Sequence, residues 1–333
     1  MVSQPRALIT GISGQTGSYL AELLLRKHYQ VFGLVRRHAT GELENLWKII
    51  GSPNLVLLEG DMTDASSLAD AVRNSNPTEI YNLAAQSFVV ASWTQPMLTQ
   101  DVNYLGFIRL LESVRQNRGE LDYMPTIYQA SSSEMFGNQP APQTIQSQMT
   151  PRSPYGVSKL AAHRIAQVYR ESFGMVICCG VCFNHESPRR GLEFVSRKIA
   201  AGVARRKRRP NSSKIPLGNL KAERDWGYAP DYAEAMWLML RWAGDNDKGR
   251  DFLIATGETH SVHEFLQAAC EVAELPGSCY DHITHEEHLF RPAEVNRLMG
   301  DPSEARALLG WKPTVDFRQL VQIMVEAELE KLR

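Results

Sequence analysis

The 333-residue chain contains no run of about 18 apolar residues, so it offers no candidate membrane-spanning helix. Its opening, MVSQPRALIT, lacks the apolar stretch and small-residue cleavage site of a secretory signal. Cysteine is sparse and odd in number: Cys178, Cys179, Cys182, Cys270 and Cys279. This argues against a disulfide framework, and reduced thiols in a cytoplasm are expected. Cys179 and Cys182 form a C-x-x-C, but it lies in the apolar run MVICCGVCF with no second pair to complete a zinc site. A buried strand is the better reading. Charge of one sign is missing as well. With 36 basic against 37 acidic residues the net charge is -1, which gives no general attraction for nucleic acid. There is no internal repeat and no low-complexity tract, and 43% hydrophobic residues exclude disorder as the main state.

Two local clusters fit plain readings. The basic run from Arg205 to Arg209 is short, has no interleaved aromatics and is followed by proline, which suits a solvated helix end. His282, His285 and His288 recur every three residues, but no metal motif surrounds them. A surface loop is expected there, and no metal.

Short apolar runs alternate with helix-length amphipathic ones through the first two-thirds of the chain. ALITGI, QVFGLVR, LVLLEG, EIYNLA, TIYQAS and MVICCGVCF read as strands. YLAELLLRKH, SLADAVRN, the stretch from about Pro96 to Asn117 and that from Ser153 to Phe173 read as helices. This order predicts an α/β fold, a doubly wound parallel sheet of Rossmann type with ligands outside the carboxyl ends of its strands. After Phe183 the pattern loosens. Helices are expected from about Glu193 to Arg205, through EAMWLMLRWA and over the final DFRQLVQIMVEAELEKLR, with DFLIATG a strand that returns to the main sheet. The expected division gives residues 1–183, with a returning segment near 231–260, mainly to cofactor binding. Residues 184–230 and 261–333 would form a smaller C-terminal lobe for substrate.

The first strand runs into Gly11-Ile-Ser-Gly14-Gln15-Thr16-Gly17 and then a helix. A tight turn alone would use such glycines. Between a strand and a helix they also let the backbone approach a pyrophosphate at the helix N-terminus. In NAD-binding folds a carboxylate near the end of the second strand holds the ribose 2′-hydroxyl. Here that strand ends in Arg36-Arg37, an exposed basic pair or a seat for a 2′-phosphate, and NADP is favoured over NAD. Asp61 and Met62, after the third strand, stand where an adenine is held. Leu83, Ala85 and Ser87, after the fourth, lie in a small-residue stretch that lets a cofactor approach the backbone.

Chemistry is carried by Ser131-Ser132-Ser133-Glu134, directly after the fifth strand, and by Tyr155-x-x-x-Lys159. Four residues apart on a helix, Tyr155 and Lys159 share a face. An ammonium beside a phenol, with a cationic nicotinamide near, stabilises the phenolate and makes the tyrosine a base near neutral pH. Together with the glycine loop, these motifs resemble the extended short-chain dehydrogenase/reductase superfamily. The segments YNLAAQSFV, QASSSEMFG, PRSPYGVSKL, FNHESPRRG, RDWGYAPDY, ATGETHSV and FRPAEV, in that order, closely resemble the GDP-mannose 4,6-dehydratases from about Ala7 to the last helix.

The resemblance implies oxidation of GDP-mannose at C4, elimination of water across C5–C6 and return of the hydride to C6, with NADP regenerated. It implies Ser132, Glu134, Tyr155 and Lys159 as catalytic residues, with Glu134 the base at C5. Tyr155 and Lys159 would also touch the cofactor. It assigns Ser87, Asn184, Lys198, Arg224, Arg291 and Glu294 to the nucleotide sugar, with Arg189 and Arg190 either beside them or solvated. It implies a homodimer through the helices around Met97–Asn117 and Ser153–Phe173, or a tetramer, with no nucleic-acid or membrane partner. The chain departs from the family's usual pattern at Ser132 (threonine), at Ser13 and Thr16 of the glycine loop, at Asn296 (aspartate) and in HATGELENLW after Arg37. A related GDP-heptose dehydratase, reductase or epimerase is the alternative that these departures keep open.

Overall fold

In the computed structural model, which describes residues 4–37, 43–290 and 293–333, seven strands form a single parallel sheet. They are β1 (Arg6–Thr10), β2 (Gln30–Val35), β3 (Leu55–Glu59), β4 (Glu79–Asn82), β5 (Thr126–Ser132), β6 (Ile177–Cys182) and β11 (Asp251–Ile254). Their order is β11-β6-β5-β4-β1-β2-β3. The order reverses between β1 and β4, the switch point at whose carboxyl ends sheets of this kind carry their ligand crevice. All six residues of β6 and all four of β4 are buried, as continuous apolar runs require in a sheet covered on both faces. DFLIATG supplies β11, which pairs in parallel with β6, so the expected return to the sheet is observed.

On one face, α1 (Gln15–Arg26) and α8 (Ala229–Asn246) contribute Leu20, Leu24, Met236, Met239 and Leu240 to the core. On the other, α2 (Ala65–Ser75), α5 (Gly106–Gln116) and α6 (Pro154–Phe173) contribute Leu68, Phe107, Leu110 and Ala166. A second apolar cluster joins Ile199 and Val203 of α7 (Val195–Arg208), Phe265 and Leu266 of α9 (Val262–Val272), and Leu320 and Met324 of α11 (Phe317–Lys331). Two short parallel strands, β8 (Ile215–Leu217) and β13 (Ile283–His285), lie against it. No helix among the described residues is long and apolar enough to cross a membrane.

The helix expected from Pro96 to Asn117 is interrupted. It consists of α4 (Pro96–Gln100), a π-helical turn over Asp101–Leu105, and α5. Within that turn Asn103 is buried and reaches the loop after β4. Its amide oxygen accepts from Gln86 N at 2.8 Å, and its amide nitrogen donates to Gln86 O at 3.0 Å and to Ser158 Oγ at 2.9 Å. Such single turns occur often at functional sites, and this one locks the loop after β4 onto α6. The start of α6 is set locally by Ser153, whose hydroxyl accepts from Gly156 N, and by Pro154 in the first turn. Gly174, at φ 63°, ends it in a left-handed cap.

The two special clusters resolve simply. Arg205, Lys207, Arg208 and Arg209 are exposed, as a solvated helix end requires. Arg206 turns inward, and its Nε donates to His282 Nδ1 at 3.0 Å. His282 is therefore buried against that guanidinium rather than in a surface loop.

One further histidine ties the glycine turn to the strand after β6. In β7 (Asn184–Glu186), His185 stacks on Tyr232 of α8 at 4.6 Å. Its Nδ1 lies 2.9 Å from Phe183 O, and its Nε2 lies 2.9 Å from Thr16 Oγ1. A carbonyl only accepts, so Nδ1 carries the hydrogen and Nε2 accepts from Thr16, which is the neutral ring. Burial holds the imidazole down at about 4. The unfolded chain therefore takes up a proton near pH 6.5 that the folded chain refuses until about pH 4. Stability from this group is complete above pH 6.5 and is lost as pH falls through that window. The expected outcome is a drop in unfolding free energy of about 2 kcal/mol between pH 7.5 and 5 relative to His185→Gln. Urea titrations at both values measure it, and parallel curves for the two proteins would remove the assignment.

Candidate active site

Gly11, Gly14 and Gly17 shape the turn between β1 and α1. Gly11 has φ 70°, and a Cβ there would lie 2.8 Å from Ala84 N in the loop after β4. A Cβ on Gly17 would lie 2.3 Å from Gly11 O. The backbone is thus packed as tightly as glycine allows, and no side chain caps the first turn of α1. That N-terminus opens at the switch point of the sheet. Gln15 and Thr16 turn away toward β7: Gln15 Nε2 donates to His185 O at 2.9 Å and its Oε1 accepts from Ser187 Oγ at 2.8 Å.

The other expected cofactor residues surround the same crevice. Arg36 and Arg37 are exposed at the carboxyl end of β2, with no carboxylate at that end of the strand. Asp61 follows β3 and accepts from Thr63 N at 2.8 Å, while Met62 is buried under Gly106 of α5. Leu83 and Ala85 are half-buried after β4, and Ser87 is exposed.

β5 and α6 bring Ser132, Glu134, Tyr155 and Lys159 together at the next strand end. Each is buried, between 4 and 9% exposed. Ser132 Oγ accepts from Glu134 N at 3.2 Å, fixing the short turn that carries the carboxylate. The same hydroxyl faces the Tyr155 phenol. Lys159 Nζ donates to Ala130 O at 2.9 Å and lies 5.9 Å from the centre of the Tyr155 ring. Burial pushes the phenol up to about 12; Ser132 and Arg190 pull it down and Glu134 pushes it further up. Burial holds the lysine amine down at about 8. A hydroxyl, a phenol, a carboxylate and an amine in one dry corner are equipped to move protons at adjacent atoms of a bound ligand.

On the facing side, Arg224 of β9 (Glu223–Arg224) is buried. It donates to Val295 O at 2.8 Å and to Glu294 Oε1 at 3.1 Å. The parallel pairing of β9 with β14 (Arg297–Leu298) sets this contact. Asn184 opens β7 and Lys198 lies on α7, both half-buried. Arg291 lies outside the described residues. Arg189 and Arg190 are not solvated: Arg189 pairs with Glu22 and stacks on Tyr19, and Arg190 pairs with the buried Glu186 at 3.1 Å. His185 and Asn103 were missed in the sequence, whereas Arg190, left open there between the nucleotide sugar and solvent, lies near enough to Tyr155 to pull its phenol down. A lone asparagine inside an amphipathic helix carries no signal, whereas the PRRG segment did carry one for Arg190.

Residues 8–324 match the family model described as GDP-mannose 4,6 dehydratase. GDP-mannose 4,6 dehydratase 1 of Arabidopsis thaliana is 46% identical, over 99% of this chain and 91% of that protein. The Homo sapiens GDP-mannose 4,6 dehydratase is 44% identical, over 100% and 94%. Among solved structures, Thermus thermophilus UDP-glucose 4-epimerase in complex with NAD superposes with a TM-score of 0.82 at 27% identity, covering 97% and 98%. The dTDP-glucose 4,6-dehydratase DesIV of Streptomyces venezuelae gives 0.85 at 23% identity over 98% and 97%, which bears on the fold alone. The chain belongs to the GDP-mannose 4,6-dehydratase family.

Proposed function

We propose that the protein converts GDP-D-mannose to GDP-4-dehydro-6-deoxy-D-mannose, as an NADP-dependent lyase. The observation that carries this reading is Glu134, a buried carboxylate on the same strand end as Ser132 and beside Tyr155. The glycine turn, which a single Cβ would fill, and the uncapped start of α1 fit a dinucleotide pyrophosphate. Arg36 and Arg37 fit a 2′-phosphate. Bound there, the cofactor supplies a hydride acceptor at sugar C4 and a hydride donor at C6, with no net redox change.

The chain's own residues then handle protons. Tyr155 takes the proton of the C4 hydroxyl, while Ser132 hydrogen-bonds the same oxygen and keeps it oriented. Pushed up to about 12, the phenol stays protonated at neutral pH and offers too little phenolate by itself. The nearby Lys159 charge and the positive nicotinamide ring favour its ionised form in the loaded site. A C4 ketone acidifies the C5 proton, which Glu134 removes. The carboxylic acid so formed returns that proton to the departing C6 hydroxyl, and one water leaves; once C6 has its hydride back, C5 takes up one proton, which balances the proton Tyr155 took from the C4 hydroxyl. Arg224, paired with Glu294, and Lys198 suit the pyrophosphate and ribose of GDP. Residues 184–230 and 261–333 form the substrate lobe in this reading.

Incubation with GDP-mannose and NADP⁺ should give a product lighter by one water, with no build-up of NADPH. A sugar of unchanged mass but altered configuration would make the protein an epimerase and overturn the assignment. Glu134→Gln and Tyr155→Phe should each lower kcat by about 10²–10⁴-fold while cofactor affinity is kept. Calorimetry on the Arg36→Ala/Arg37→Ala double variant should show NADP⁺ binding weakened by about tenfold or more, with NAD⁺ little changed. Equal losses for both nucleotides would remove the 2′-phosphate role.

The same reading includes a homodimer. Met97 and Leu98 of α4, Leu105 of the π turn, and Val157, Val168 and Phe173 of α6 are all exposed, Met97 at 80%. Large apolar groups on two neighbouring helices suit burial against a second copy. Sedimentation should give a mass near twice 37.4 kDa, and Met97→Asp/Val168→Asp should shift it to the monomer. A wild-type monomer at micromolar concentration would count against it.

A further inference from the structure

Helix α6 is fastened to the sheet by a line of polar side chains three and four residues apart, which share one face. Lys159 Nζ donates to Ala130 O at 2.9 Å. One turn further, His163 Nδ1 lies 3.0 Å from Ser131 Oγ, and its Nε2 lies 3.3 Å from Asp251 Oδ2 at the head of β11. Gln167 Nε2 donates to that same carboxylate oxygen at 3.1 Å, and Arg170 pairs with the other oxygen. His163 is 1% exposed and Ser131 6%, so water does not compete for the bond between them.

The candidate ligand atoms of His163, Cys179 and Asp251 lie within 4.8 Å of one another, a spacing that suits a metal ion. The Arg170 guanidinium contacts both Asp251 and Cys179 Sγ, the latter at 3.7 Å, and already supplies the positive charge there. The cluster is an array of hydrogen bonds. Burial pushes the Asp251 carboxyl up, but His163 and Arg170 outweigh it and hold the group well below the usual carboxylate range. An ionised Asp251 accepts from Nε2–H, which leaves the lone pair on Nδ1 to accept from the Ser131 hydroxyl.

Ser131 stands between the two backbone positions that matter. Ala130 O holds Lys159, and Ser132 Oγ meets Tyr155. We propose that His163, oriented by Asp251 and acting through Ser131, is a positioning residue that keeps strand end 130–132 aligned with Lys159 and Tyr155. This rests on the reaction proposed above and concerns its rate. The Asp251 bond orients the imidazole, and the Ser131 bond transmits that orientation to the site.

Two substitutions separate the bonds. Asparagine places an acceptor near the position of Nδ1 and keeps Ser131, whereas glutamine reaches the position of Nε2 and keeps Asp251. His163→Asn should retain kcat within about twofold, and His163→Gln and Ser131→Ala should lose about tenfold in kcat with KM little changed. A second readout does not need turnover. The titration of Lys159, followed by NMR of Cε-labelled lysine, starts at about 8, with Cys182 of β6 and Tyr155 of its own helix as neighbours. It should move upward in His163→Gln and Ser131→Ala as water reaches the amine, and stay in place in His163→Asn. Equal or greater loss in His163→Asn, or a Ser131→Ala enzyme unchanged in both kcat and Lys159 titration, would overturn the proposal. Ser131→Ala removes one oxygen and reports even where a variant at 163 does not fold. If the wild type dehydrates no GDP-sugar, the proposed reaction fails, and the Lys159 titration in Ser131→Ala decides the positioning role alone.

Discussion

The removal of ionisable groups from water at the carboxyl end of β5 governs this structure. A buried amine and a buried phenol are both expensive in their charged forms. Each needs a polar partner held within hydrogen-bond reach. Lys159 solves this with the carbonyl of Ala130, and Tyr155 with the hydroxyl of Ser132. Both partners lie on one strand, so the distance between helix and strand becomes the quantity the fold has to hold constant. The depth of α6 in the core, the cap at Ser153 and the anchoring at Asp251 all serve that distance.

A second constraint runs across the crevice. The glycine turn touches the loop after β4 at Ala84, that loop is held by Asn103, and Asn103 reaches Ser158 on α6. Thr16 meanwhile reaches His185, at the start of the segment that carries Arg190. The two halves of the crevice are therefore joined by buried polar contacts as well as by apolar packing. Polar networks of this kind specify one arrangement more sharply than apolar contact does, because each misplacement leaves further buried donors or acceptors unpaired.

Much of this was legible in the sequence. The apolar runs from ALITGI to MVICCGVCF each became a strand of the sheet, and in β4 and β6 burial on both faces leaves little freedom in composition. Even the return of DFLIATG could be seen, since a four-residue apolar run between helices has few places to go. The grouping of Ser132, Glu134, Tyr155 and Lys159 was legible because two short motifs fall at a strand end and a helix start. What could not be read depends on contacts distant in sequence. Asn103 meets Gln86 across a turn, His185 meets Thr16 across 169 residues, and Arg206 meets His282 across 76. The break in the helix at Asp101–Leu105 was hidden for the same reason, because its cause is a partner and not a helix-breaking residue.

The order of the strands also matters to the chain as it emerges from the ribosome. β6 pairs on one side with β5, which is already made, and on the other with β11, whose first residue comes 72 positions after its partner Cys179. Throughout the synthesis of α7 and α8, the run ICCGVC is an apolar edge with an unpaired row of amides and carbonyls and three thiols. Such an edge is a template for pairing with other chains and a target for oxidants, and it closes only when Asp251–Ile254 arrives. Delivery of a four-residue strand is thus a demand on folding kinetics that the finished sheet, in which β6 is paired on both sides, no longer shows.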